Sequence, residues 1–180
     1  MGGDHYRDKV DMTGWLSEGE IMVADCEGPA ALQELRDQVL RDRLNALAHF
    51  APIFAAPGFE FASWQEYPPD EQGRRVLPEC VMSAEARAFV AIAHEFRWVV
   101  HLFDWPNWRQ TAEAQGLLMG PEAIAKASAE QLAKLLTTFI RSERFSEGAM
   151  LGAFKAGFLT AIVERAAVLS NLSGAKSVVI

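Results

Sequence analysis

Ser128-Ala129-Glu130-Gln131-Leu132-Ala133-Lys134-Leu135-Leu136-Thr137-Thr138-Phe139-Ile140-Arg141 opens with a capping box and continues at a helical period. The serine hydroxyl can accept from the glutamine amide, while the glutamine side chain returns to the serine's own N–H. Leu132, Leu135, Leu136, Phe139 and Ile140 fall on one stripe, which an amphipathic helix turns towards a core. Similar stripes lie on either side. The expected fold is therefore mainly α: a compact, bundle-like domain of several helices with a long aromatic loop and at most one or two short strands.

Downstream, Arg144 to Ala156 reads as a further helix in which Gly148, Gly152 and Ala156 recur every four residues. Small residues at that spacing leave a groove for another backbone, and the glycines, which weaken a helix, ask for a packing reason. Gly157 is expected to end or bend this helix. Phe158, Leu159, Ile162, Val163, Ala166 and Leu169 make the last amphipathic face, and residues 171–180 read as a loose tail.

Upstream, Pro106 suits the first turn of a helix reaching about Met119. Ser83 can cap a helix running to about Arg97, with Phe89, Val90, Ala93 and Phe96 inward; the Trp98–Phe103 run after it is β-prone. A first long helix from about Ala30 to Phe50 collects Leu32, Leu35, Val39, Leu40, Leu44, Leu47 and Phe50 on one face, with Arg36 and Arg43 inside it. Arginines there must snorkel or meet carboxylates, for which Asp104 and Glu147 are candidates. Between these two helices, Pro52, Pro57, Pro68 and Pro69 break up an irregular loop to about Pro78 that carries Phe59, Phe61, Trp64 and Tyr67. Residues 1–28 read as an N-terminal appendage and 29–170 as a single helical domain.

Half of the 180 residues are hydrophobic, enough to bury a core without metal or disulfide staples. A net charge of −7 argues against nucleic acid as the main partner. The polar start, Met1 to Lys9, lacks a signal-peptide core, and no apolar run reaches the length of a membrane span. Cys26 and Cys80 are isolated, with no zinc-ligand spacing; one bridge between them is possible, but the pattern favours reduced thiols. These features fit a cytoplasmic protein that does not enter a membrane.

Two stretches form a signature: Phe103-Asp104-Trp105-Pro106-Asn107-Trp108, then Leu135-Leu136-Thr137, Arg141, Arg144-Phe145, Glu147-Gly148 and Gly157. In these the chain resembles a family of uncharacterised prokaryotic proteins, over about Ala84 to Leu169. The resemblance implies a compact helical domain and no particular activity. Members of that family tend to carry histidine after the Glu-Gly pair and after the later glycine. This chain has Ala149 and Phe158 there, so any chemistry those histidines served would be lost.

Asp104 has two readings. It is a general base in a pocket walled by Trp105 and Trp108, or, more simply, a helix cap for Asn107 beside core tryptophans. Arg141, Arg144 and Glu147, with Glu143, are either an anion site built on guanidinium forks or, more simply, an ion-pair network at a helix junction. His94 and His101 with Asp104 make a poor metal set, since no motif surrounds them. No Walker loop, G-x-G-x-x-G or G-x-S-x-G is present. No cofactor or metal is expected.

The preferred expectation is a non-catalytic helical binding or regulatory protein acting through protein–protein contacts with another protein or with itself as a homo-oligomer. Phe59, Phe61, Trp64 and Tyr67 are its candidate contact residues. The alternative is a small enzyme, or a binder of an anionic small molecule, with a pocket of Asp104, Trp105, Trp108, Arg141, Arg144 and Glu147. It requires those side chains to converge on a solvent-reachable cavity.

Overall fold

The computed structural model describes residues 28–75 and 77–175. Along it run α1 (Pro29–Ala48), α2 (Ala51–Phe54), β1 (Ala62–Gln65), β2 (Glu79–Met82), α3 (Ala84–Glu95), α4 (Trp105–Trp108), α5 (Ala112–Leu117), a 3-10 helix (Pro121–Lys126), α6 (Ala129–Glu143), α7 (Ala149–Lys155) and α8 (Phe158–Ala175). The fold is mainly α, and among the described residues its only sheet is the antiparallel pair β1–β2. Residues 1–27, which carry the expected appendage and Cys26, lie outside the described part.

Helix α6 is the central element. Both halves of its capping box form: Gln131 N–H donates to Ser128 Oγ at 3.2 Å and Ser128 N–H donates to Gln131 Oε1 at 2.9 Å. The expected stripe covers one face, yet every residue from Leu132 to Thr138 is buried. Neighbours therefore surround this helix, and its polar side chains need partners. Thr137 Oγ1 donates to Ala133 C=O at 2.7 Å and accepts from Val100 N–H at 2.9 Å. Thr138 Oγ1 donates to Lys134 C=O at 2.8 Å.

Helix α8 buries Leu159, Ile162, Val163 and Ala166 against α1, α6, α7 and the 3-10 helix. It continues through Asn171 to Ala175, where the sequence suggested a loose tail. In α1, burial deepens along the helix: Leu32, Leu35 and Val39 are half-buried, whereas Leu44 and Leu47 are fully covered. Arg36 is exposed, and Arg43 is buried. Arg43 Nη2 donates to Arg97 C=O at 2.6 Å, and its guanidinium lies 5.2 Å from the centre of the Trp98 ring. These contacts, and not the expected Asp104 or Glu147, receive it. Burial, then the nearby Arg97 charge, lower its pKa to about 9, so it stays protonated at neutral pH.

Three expected helices are shorter than their periodicity suggested. Ser83 caps α3 by accepting from Ala86 N–H at 3.1 Å. That helix stops before Arg97, which takes φ 54°, while Trp98 N–H turns back to Ala93 C=O at 2.8 Å. The β-prone run after it forms no strand. The helix expected from Pro106 to Met119 is split: Thr111 Oγ1 donates to Trp108 C=O at 2.7 Å and accepts from Ala114 N–H at 3.2 Å, closing α4 and capping α5. Residues 144–148 form a turn where a helix was expected, ending at Gly148 with φ 81°.

The proline-broken stretch is better ordered than a loop. Phe54 meets the rings of Phe50, Phe59, Phe61, Phe89 and Phe154 at centroid distances from 5.2 to 5.9 Å. This aromatic cluster fastens α2 and the hairpin to α3 and α7.

Candidate functional site

The tryptophan corner is a capped turn docked on α6. Asp104 Oδ1 accepts from Asn107 N–H at 3.3 Å, and Oδ2 from Asn107 Nδ2 at 2.7 Å. The carboxylate thus closes α4 at its electropositive end. Trp108 is buried and its Nε1 donates to Glu113 Oε2 at 2.8 Å. Trp105 is half-buried and faces Phe145, with ring centroids 6.1 Å apart.

Arg141 joins this corner to α6 through backbone acceptors. Its Nη2 donates to Val100 and His101 carbonyls at 2.8 and 2.7 Å, and Nη1 to Phe103 C=O at 3.2 Å. The turn after Trp98 leaves its carbonyls without helical or strand partners, and the planar guanidinium gathers three of them. Neither an anion site nor an ion-pair network describes this geometry. Arg144 is exposed, and its guanidinium makes no hydrogen bond or ion pair among the described residues. Glu147 does not pair with it; its Oε1 accepts from Cys80 N–H of β2 at 2.7 Å. Glu143 accepts from Gly148 and Met150 N–H, both at 2.7 Å, and so caps α7 from the end of α6. Both glutamates chose backbone donors over arginines because helix starts and strand edges offer amides that nothing else satisfies.

The periodicity did not reveal the densest polar cluster. Lys134, buried in mid-α6, holds Glu130 at 3.0 Å and Glu113 at 3.2 Å. Glu113 also accepts from Gln131 Nε2 at 3.1 Å. Burial alone would raise the Glu113 carboxyl, but hydrogen bonds from Trp108 and Gln131 and the Lys134 charge outweigh it and hold the group below the usual carboxylate range. Burial would lower the Lys134 ammonium, and Glu130 and Glu113 raise it instead. The available signal was a lysine inside an apolar run one turn after Glu130. Its link to Glu113 needed the tertiary fold. One ammonium is shared by two carboxylates, and neutral donors from Trp108 and Gln131 complete the cluster, which marks a structural brace.

Of the loop aromatics, Phe61 is buried at 1% exposure and Phe59 is half-buried, so Phe61 drops out as a contact residue. The ring cluster claims both. Trp64 and Tyr67 stay 49% and 38% exposed, and Tyr67 Oη donates to Glu79 Oε2 at 2.9 Å. Gly148 abuts Trp64: a Cβ there would lie 2.8 Å from its Cζ2. Among the described residues, nothing lies within 4 Å of such an atom on Gly152.

The described cavities avoid the expected pocket. One of about 360 Å³ is lined by residues 59–64 together with Leu151, Phe154 and Lys155. Another, of about 630 Å³, lies over Pro52, Ile53, Ala56 and Phe59. A third, of about 330 Å³, lies between the 3-10 helix and α8. None is lined by Asp104, Trp105, Trp108, Arg141, Arg144 or Glu147. His94 and His101 are exposed, and no three His, Cys, Asp or Glu among the described residues are placed to hold a metal ion. Cys80 is a half-buried free thiol whose pKa is raised by burial and by Glu143 and Glu147. No helix among the described residues is long and apolar enough to cross a membrane.

The elements define a mainly helical domain in which a capped tryptophan corner and a guanidinium clamp are docked on one central helix, and a small hairpin is held by the aromatic cluster and the turn between α6 and α7. The model of a family of unknown function, DUF6508, matches residues 39–171, and the chain belongs to that family. The match starts within α1, earlier than the motifs alone suggested, and so takes in the hairpin. No curated protein and no solved structure matches the chain.

Proposed function

We propose that this chain is a non-catalytic helical binding protein that acts by docking another protein, in a prokaryotic cytoplasm. The observation that carries the reading is the aromatic surface around the turn between α6 and α7. Phe145 is 81% exposed beside half-buried Trp105, and the same turn ends on Gly148 against exposed Trp64. Exposed aromatic side chains on an ordered frame give large contact area at small entropic cost on binding. The isolated cysteines favour a reducing compartment, and the acidic total charge disfavours nucleic acid.

The small-molecule alternative has less support, because Arg141, Glu147 and Asp104 are each engaged by the backbone. Size-exclusion light scattering and affinity capture test the proposal. Wild type is expected to retain a partner or a second copy that Phe145→Ser and Trp64→Ser proteins release while keeping their helical circular dichroism. A monomer that retains nothing, or retention indifferent to both substitutions, overturns it.

A further inference from the structure

The two edges of the β1–β2 pair are treated unequally. Ser83 N–H donates to Phe61 C=O at 2.9 Å. With Ala62 opposite Met82 and Trp64 opposite Cys80, this makes Ser63–Val81 and Gln65–Glu79 the mutually bonded pairs. The N–H and C=O groups of Ala62, Trp64, Cys80 and Met82 therefore point outward. On the β2 side, Cys80 N–H is taken by Glu147 at 2.7 Å and Met82 C=O by Arg87 Nη1 at 2.6 Å. On the β1 side, no described residue bonds the outward groups of Ala62 or Trp64. An edge left this way is a template for another strand.

The surroundings select what that strand carries. The cleft of about 360 Å³ runs beside β1, with Leu151, Phe154 and Lys155 of α7 on its far side. At Phe59 and Glu60 it meets the more open depression of about 630 Å³, which Glu85 also lines. Glu60 and Glu85 are exposed, and their carboxylates have no hydrogen-bond or ion-pair partner among the described residues. Among the described residues, no lysine or arginine lines that depression. Its apolar floor suits the alkyl stem of a basic side chain, and its two carboxylates suit the head.

We infer that β1 receives, as a third strand, an extended basic segment of another protein. A lysine or arginine of that segment lies over Pro52 and Phe59 with its cation at Glu60 and Glu85. Alternate apolar side chains enter the cleft beside α7. The net charge of −7 draws such a partner at longer range. A second copy brings the same two carboxylates to the junction, and like charges oppose self-pairing. The inference rests on the protein-binding reading above.

The 180-residue chain is presented with displayed libraries of alternating valine and threonine peptides, one pool carrying lysine and arginine, the other aspartate and glutamate. The basic pool is expected to enrich, and bound peptide should protect the Ala62 and Trp64 amides from hydrogen exchange. Trp64→Pro removes an outward N–H and leaves the bonds to β2 in place. It should weaken binding about tenfold beyond Trp64→Ala, which keeps the amide. The Glu60→Lys, Glu85→Lys double variant should lose the basic peptides. Enrichment of the acidic pool alone, enrichment of neither, or equal binding by Trp64→Pro and Trp64→Ala overturns strand addition, as does self-association through β1. Affinity capture separates the two levels. A partner that Phe145→Ser releases but that Trp64→Ala and Trp64→Pro hold equally overturns the strand while the protein-binding reading stands; a monomer that holds nothing removes both.

Discussion

Arg141 shows how one side chain can hold a corner. Three carbonyls of the turn after Trp98 converge on its guanidinium, and an ammonium cannot reproduce that planar fork. Arg141→Lys is expected to lower stability by about 2–3 kcal/mol, read from the denaturant midpoint. A smaller loss would mean that water replaces the fork. The Lys134 brace gives a pH dependence. The folded Glu113 carboxyl lies below its unfolded range, so its contribution is present above the ordinary carboxylate pKa and is lost as pH falls through the folded value. The difference in melting temperature between wild type and Glu113→Gln should therefore shrink in acid. Lys134 is raised, so its contribution persists below the ordinary lysine pKa and fades only as pH climbs through the higher folded value. A gap between the two proteins that widens on acidification would contradict the brace.

Helix boundaries here are set by who satisfies the terminal amides and carbonyls. The glycines in and beside α7 separate conformational need from mere composition. Gly148 and Gly157 take φ 81° and 83°, and added Cβ atoms would press on Trp64 and on Pro121 Cγ at 2.8 and 3.1 Å. Gly152 is helical and open. Gly157→Ala should cost about 1–2 kcal/mol, whereas Gly152→Ala should stabilise by about 0.5–1 kcal/mol. Thermal melts of the two variants check both signs, and equal effects would remove the distinction. Glu143→Gln weakens the charged cap on Gly148 and Met150 and should cost about 1 kcal/mol, with amide exchange at the start of α7 rising selectively.

At the scale of the whole molecule, the phenylalanine cluster joins parts distant in sequence. Phe54→Ala should cost about 3–5 kcal/mol, a large share of a typical domain's stability, and near-UV circular dichroism should show the ring environment collapse. Unchanged near-UV signal would show that the hairpin is held by other contacts. The apolar stripes, the capping box at Ser128, the Ser83 cap and the Asp104 cap were legible because each depends on neighbours within a turn or two of sequence. The hairpin was not, since its strands are separated by prolines and pair through backbone groups that carry no periodic mark. Nor were the true partners of Arg141, Glu143 and Glu147: side-chain type announces a charge but not which backbone groups will arrive unsatisfied beside it. By itself, then, the sequence determined a mainly helical chain and the local chemistry of several helix starts. Only the tertiary structure decided that α6 is buried from Leu132 to Thr138, that the arginine junction is bound to carbonyls, and that one strand edge is partly capped by side chains while the other is open, because burial and long-range hydrogen bonding exist only after remote segments meet.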